Sequence, residues 1–261
     1  MPESKRTRVK ELLQSGLVHV NGQSVSQHDY QIGPKDKIET RQERAAPARK
    51  MPFDILFEDA HLVAIDKPNG LLTVSNKHEK SRTVYSLVNR SLVATRERAF
   101  IVHRLDLYTS GVLILAKTEE AQSKIMGNWK SAKKVYHALV EGVPSPAQRT
   151  LTHHLREDER LVVHAMDMPS RHTHKATLSY SVQQQKGAKA LLKIDLETGK
   201  KNQIRAQLAA IGHPICGDAK YGATTTPLQR LCLHASSLSI PHPKTGARIT
   251  FQAPLPEGFR E

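Results

Sequence analysis

The sequence predicts an α+β protein, a large and mostly antiparallel mixed sheet with flanking helices, preceded by a small α/β module. Three observations lead there. Runs of strand length recur through most of the chain, separated by turn signals such as Asn21-Gly22 and Lys186-Gly187. Helical spacing of apolar residues is confined to a few short segments. The stretch at 41–51, RQERAAPARKM, carries charge, Ala and Pro without periodicity and reads as a linker. The chain therefore divides into a module at 1–40, a linker at 41–51 and a large domain at 52–261.

In the module, Val9, Leu12 and Leu13 share one face of a helix that Gly16 stops. Lys5, Arg6, Arg8 and Lys10 cluster at its start, as RNA contacts or as a solvated helix face. Residues 17–20 and 23–25 form a hairpin about Asn21-Gly22, and 37–40 read as a last strand. In the large domain, 55–58 and 62–66 are strands, the second leading into Lys67-Pro68-Asn69-Gly70, read as a structural turn. Val84, Leu87, Val88 and Leu92 place a helix at 83–94, and the wholly apolar 112–116 is a buried strand. Thr118 caps the next helix, with Glu119 and Glu120 at its positive end and Ala121, Ile125 and Trp129 on one face. A strand at 134–140 follows, then hairpins pairing 151–155 with 161–164 and 176–182 with 190–196. Ile204, Leu208 and Ile211 mark a helix that Gly212 ends, with Gln203 and Arg205 near its start.

Composition narrows the function. The 261 residues hold 39 Lys and Arg against 25 Asp and Glu, a formal charge of +14, which calls for a partner rich in negative charge. Nucleic acid is the first candidate. An acidic membrane surface is the rival, but no apolar run approaches the roughly 20 residues that span a bilayer. The opening MPESKRTRVKELL lacks the apolar core of a signal peptide, so a soluble, cytoplasmic protein is expected. Cys216 and Cys232 are too far apart for a redox or zinc motif and are expected as reduced, buried thiols. His153, His154, His164, His172 and His174 fall in one stretch without metal-binding spacing and are expected to be exposed. No glycine-rich dinucleotide or phosphate-loop pattern is present, so the sequence implies neither a nucleotide cofactor nor a metal.

Polar chemistry concentrates at 66–70, at 103–111 (HRLDLYTSG), at Lys134-Val135-Tyr136 and at 197–222. Alone, Asp106 reads as a turn former, with Thr109-Ser110-Gly111 completing the turn before the buried strand. However, HRLDLYTSGVLILAK and TGKKNQIRAQLAAIGHPICGDAKYG resemble the two hallmark segments of the RluA-type pseudouridine synthases. DKPNGLL and KKVYHALV resemble two further family segments in the right order, and the likeness runs over about residues 53–255. Residues 4–40 resemble, in truncated form, the alpha-L RNA-binding module shared with a ribosomal small-subunit protein.

The resemblance implies the pseudouridine synthase fold and the isomerisation of a uridine within RNA, with no metal, nucleotide or redox cofactor. By the same resemblance Asp106 is the indispensable carboxylate. It either attacks the anomeric carbon or removes a ribose proton, and the sequence leaves both routes open. Arg205 is implied as the partner that keeps it ionised, and Tyr136 as the ring that stacks on the target base. Arg104 is implied to fill the gap left by the flipped base or to hold neighbouring phosphates. Gln207 stands where many relatives carry His, and Lys200-Lys201-Asn202 replaces a commoner Arg-Thr-His, a variant that resembles a known branch. Ribosomal RNA of the large subunit is the expected substrate and transfer RNA the alternative, and no obligate protein partner is implied. Two other readings stand beside the synthase. One is a non-catalytic RNA-binding or ribosome-assembly protein on the same scaffold. The other is a glycoside-cleaving enzyme, which needs a second carboxylate that no motif here supplies.

Overall fold

A computed structural model describes residues 6–14, 18–25, 27–40, 53–77, 79, 81–92 and 97–259. The linker read at 41–51, Lys5 and Gly16 lie outside the described residues. The chain separates into two compact units, Met1–Lys50 and Met51–Glu261.

In the first unit, α1 (Arg6–Gln14) precedes a three-stranded sheet of order β2 (Gln23–Ser24), β1 (Val18–Val20) and β3 (Ile38–Thr40). Asn21 and Gly22 both take positive φ, as a tight two-residue hairpin requires. The Asn21 side chain also donates to Asp36 Oδ1 at 2.8 Å and accepts from the Lys37 amide at 2.9 Å. That tie brings β3 back beside β1. On α1, Leu12 and Leu13 are half-buried, while Val9 is exposed.

The second unit is one eleven-stranded sheet. Its strands are β4 (Ile55–Glu58), β5 (Leu62–Lys67), β6 (Phe100–Ile101), β7 (Ser110–Ala116), β8 (Lys133–Glu141), β9 (Gln148–Glu157), β10 (Val163–Met166), β11 (His174–Lys186), β12 (Lys189–Leu196), β13 (Leu233–Pro241) and β14 (Arg248–Gln252). The main path runs β10-β9-β11-β12-β8-β13-β7-β5-β4, with β14 on β13 and β6 on β7. Among the described residues, three helices flank it: α2 (Val84–Leu92), α3 (Glu119–Gly127) and α4 (Gln203–Ala210). Thr118 caps α3 as its sequence predicts, its hydroxyl accepting from the Ala121 amide at 3.1 Å.

Burial explains where sequence patterns are clean and where they vanish. In β7, Leu113 and Leu115 pack with α2, while Val112, Ile114 and Ala116 pack with α3 and β14, so the strand is apolar from Val112 onward. At the other end of the sheet one face is wet, and Thr150 with Ser179 and Thr152 with Thr177 bond across β9 and β11. The opposite face, through Leu151 of β9, Leu178 of β11 and Ile194 of β12, packs under Ile204 and Leu208 of α4. The hairpin residue Leu161, expected in a strand, instead takes φ 60° in the turn before β10.

Among the described strand pairs, only β7 with β13 is parallel, matching Ser110 to His234 and Gly111 to Ala235. This crossing sets the identity of Gly111. A Cβ there would lie 2.2 Å from the Ala235 carbonyl oxygen, and the backbone takes φ 109°. Ser110 and Gly111 are therefore the first residues of β7 and not part of a turn. Directly before this crossing comes the loop that carries Asp106.

Candidate active site

The backbone on both sides of Asp106 is clamped by the segment that follows β5. Thr73 Oγ1 donates to the Leu105 carbonyl at 2.8 Å and accepts from the Leu105 amide at 3.1 Å. The Leu107 carbonyl accepts from the Gly70 amide at 3.0 Å and from Lys67 Nζ at 3.1 Å. Asn69 donates to the Tyr108 carbonyl. DKPNGLL and HRLDLYTSG thus lie against each other, and a loop held at so many points presents its carboxylate in a fixed place.

Lys67, read from the sequence as part of a structural turn, is the last residue of β5 and fully buried, and its Nζ also donates to Leu71 O at 2.7 Å and Pro68 O at 2.9 Å. Burial pulls its ammonium down to about 7, with the nearby Asp106 charge working the other way. Since the unfolded chain keeps this proton up to a higher pH, stability through this group rises as pH climbs from about 7 to 10.5. We expect Lys67→Met to lower stability by about 2 kcal/mol near neutral pH, because it strips three carbonyls of a donor. The gap to wild type should widen toward pH 10. Urea midpoints at pH 6, 8 and 10 check this, and a gap that shrinks with pH would contradict it.

Asp106 itself is part-exposed, and its Oδ2 lies 3.7 Å from Arg205 Nη1. That is an ion-pair distance, too long for a hydrogen bond. The main partner of Arg205 is a residue the sequence reading missed. Asp218, buried beneath α4, accepts from Arg205 Nε at 2.6 Å and from Nη2 at 2.7 Å, a bidentate fork. Arg205 Nη1 also donates to Asn202 Oδ1 at 3.3 Å, and its guanidinium carbon lies 4.9 Å from the Tyr221 ring centroid. Tyr221 in turn receives a hydrogen bond from Asn202 Nδ2 at 3.1 Å. Burial opposes the charge on Arg205, yet the Asp218 bonds prevail and hold its pKa above the ordinary arginine value. The third guanidinium nitrogen is left aimed toward Asp106.

Tyr136, on β8, lines the same recess, of about 100 Å³, as Asp106, Arg104, Asn202 and Arg205. Burial, helped by the Asp106 charge, raises the Tyr136 phenol well above its ordinary value, so the ring stays neutral. Thr109 lines the recess too, and its buried hydroxyl has no hydrogen-bond partner among the described residues. Arg104 is exposed at the rim. The recess shares Asp106 and Tyr136 with a wider cleft of about 790 Å³ that Lys134, Lys200 and Lys201 also line. Four of the sequence-predicted residues, Asp106, Arg205, Tyr136 and Arg104, therefore come together. In the first unit Arg6 and Lys10 are exposed on α1. The side chain of Arg8, and Lys5 altogether, lie outside the described residues.

Gln203 is buried and accepts from Thr198 Oγ1 at 2.8 Å and the Lys200 amide at 3.1 Å, fixing the entry to α4. Gln207 is buried as well, and its amide donates to the Ala176 carbonyl at 3.2 Å, tying α4 to β11. Lys201 pairs with Glu157. The expectation of exposed histidines needs correction. His153 is buried against α4, with its Nδ1 3.1 Å from Gln207 Nε2. Outside that stretch, His234 is buried in β13 with Nδ1 2.8 Å from Ser110 Oγ, and burial pulls it down to about 4.

A model of the RNA pseudouridylate synthase family matches residues 61–210 of this chain, a span holding Asp106, Tyr136 and Arg205. The chain belongs to this family. The synthase is 32% identical over 286 residues to a ribosomal large subunit pseudouridine synthase D of Pseudomonas aeruginosa, covering 99% of this chain and 86% of that one. It is 30% identical over 285 residues to the enzyme of the same name in Pasteurella multocida, covering 100% and 86%. Among solved structures, human RNA pseudouridylate synthase domain containing 4 superposes with a TM-score of 0.65 at 23% identity, covering 78% of the synthase and 89% of that chain. That likeness carries the fold: the synthase has the large mixed sheet with few helices that its sequence predicts.

Proposed function

We propose that this pseudouridine synthase acts on uridines of large-subunit ribosomal RNA, with Asp106 as the catalytic carboxylate and the target base flipped out of the RNA. The observation that carries the reading is the pairing of Asp106 with Arg205 at 3.7 Å in a recess that Tyr136 also lines. A carboxylate so placed meets a flipped uridine at its ribose, where it either attacks the anomeric carbon or removes a ribose proton. In both routes it acts as the carboxylate, and the Arg205 guanidinium beside it is held in place by Asp218. The neutral Tyr136 ring offers a face to the uracil. Arg104, at the rim, reaches the phosphates or fills the gap in the stack.

The relatives named for the ribosomal large subunit favour that RNA over transfer RNA, and such a substrate fits a cytoplasmic protein. Release of tritium from RNA labelled at carbon 5 of uridine tests the assignment, with ribosomal and transfer RNA presented separately. Release from the ribosomal fraction is expected. Release from transfer RNA alone would move the substrate, and none from either would overturn the reading.

In this reading the first unit, through Lys5, Arg6, Arg8 and Lys10, helps hold RNA by its phosphates. Each neutralised phosphate releases counterions, so affinity should fall at least about a hundredfold between about 50 and 200 mM salt. Filter binding across that range checks it. A flat profile would count against docking by basic side chains.

A further inference from the structure

Trp129 is the only tryptophan of the chain. Helical periodicity places it on the buried face of α3, but α3 ends at Gly127, and Trp129 opens the short turn of 3-10 helix that follows. There the indole is only part-buried. It lines the 790 Å³ cleft together with Asp106 and Tyr136.

Its surroundings are built to hold it. The His103 ring stacks on it with centroids 4.8 Å apart and planes 32° apart. His103 Nε2 accepts from the Ile114 amide of β7 at 3.1 Å, which pins the imidazole to the sheet. Burial, reinforced by Lys134, pulls His103 down to about 3, so the supporting ring is neutral. Lys134 Nζ lies 6.0 Å from the indole centroid. Lys134 and Tyr136 are two residues apart on β8 and so share a face, about 7 Å apart along the strand.

Resting on the synthase reading above, we propose that Trp129, backed by His103 and flanked by Lys134, is a stacking shelf for a nucleobase that neighbours the target uridine. Tyr136 takes the target base, Trp129 takes the next unpaired base, and Lys134 meets the phosphate that joins them. An indole face accepts any base, so the shelf selects for an unpaired neighbour rather than for its identity.

The single tryptophan makes its own emission the probe, since a stacked base quenches an indole. Asp106→Asn protein, held at low salt where a +14 chain binds any polyanion, is titrated with polyuridylate, with heparin and with uridine monophosphate. Polyuridylate should at least halve the emission, while heparin and the mononucleotide leave it within about a tenth. Equal quenching by heparin, by the mononucleotide, or none by bound polyuridylate would each overturn the shelf. Turnover supplies the second measurement. Trp129→Ala should raise KM for RNA about tenfold, and Trp129→Phe, which keeps a stackable ring, should recover most of it. Equal KM values for wild type and both variants would overturn the shelf while leaving the isomerase intact. Lack of turnover by wild type on any RNA would instead sink the function on which the shelf rests.

Discussion

Asp106→Asn lowers tritium release from carbon 5 of uridine by at least about a thousandfold, while RNA affinity stays within about a factor of two of wild type. The two side chains have nearly the same shape, so the substitution isolates the charge. Proton transfer by a placed carboxylate is worth roughly a hundred- to ten-thousandfold, and an amide can neither form a stable covalent adduct nor take a ribose proton. Stability should hardly change. Asp106 is 40% exposed, its contact with Arg205 is long, and Arg205 keeps its fork to Asp218. Affinity survives because the many Lys and Arg that meet phosphate are untouched. Activity within tenfold of wild type would remove Asp106 from the chemistry.

The second large effect is expected at Asp218, through stability as well as rate. Asp218→Ala leaves the largely buried Arg205 guanidinium without its bidentate partner, and stranding such a charge costs up to about 3–5 kcal/mol. The urea midpoint should fall accordingly, and turnover should fall with it, since Arg205 is no longer held toward Asp106. Replacing both members, Asp218→Leu with Arg205→Met, removes the stranded charge. That double variant should regain most of the stability and none of the activity. An Asp218→Ala protein as stable as wild type would show that Asn202, Tyr221 and Asp106 suffice to hold Arg205.

How much of this was legible beforehand depends on the range of each interaction. The Asn21-Gly22 hairpin, the Thr118 cap and the α4 helix are set by residues a few positions apart, and their patterns survive in the linear chain. β13 shows the opposite case. LHASSLSIP mixes Leu and Ile with His and Ser, carries no clean alternation, and drew no strand assignment, yet it lies centrally between β8 and β7. It is buried on both faces, where His234 Nδ1 meets the Ser110 hydroxyl and Ser236 donates to the Val135 carbonyl. Trp129 misled for a related reason: the 3.6-residue period continued past Gly127, but the helix did not.

By itself the sequence determined the fold class, the anionic nature of the partner and the family, because charge, apolar period and motif order are properties of the chain read in line. It also set Asp106 ahead of a strand that has to be buried. Only the tertiary structure decided which groups act on that carboxylate. Arg205 answers first to Asp218 across a loop, Lys67 is a buried amine bonded to the Leu107 carbonyl, and Gly111 is glycine because β13 crosses it from more than a hundred residues away. These are contacts between segments distant in sequence, and burial gives them their strength: a charge or a missing Cβ matters most where neither water nor a shift of backbone can relieve it.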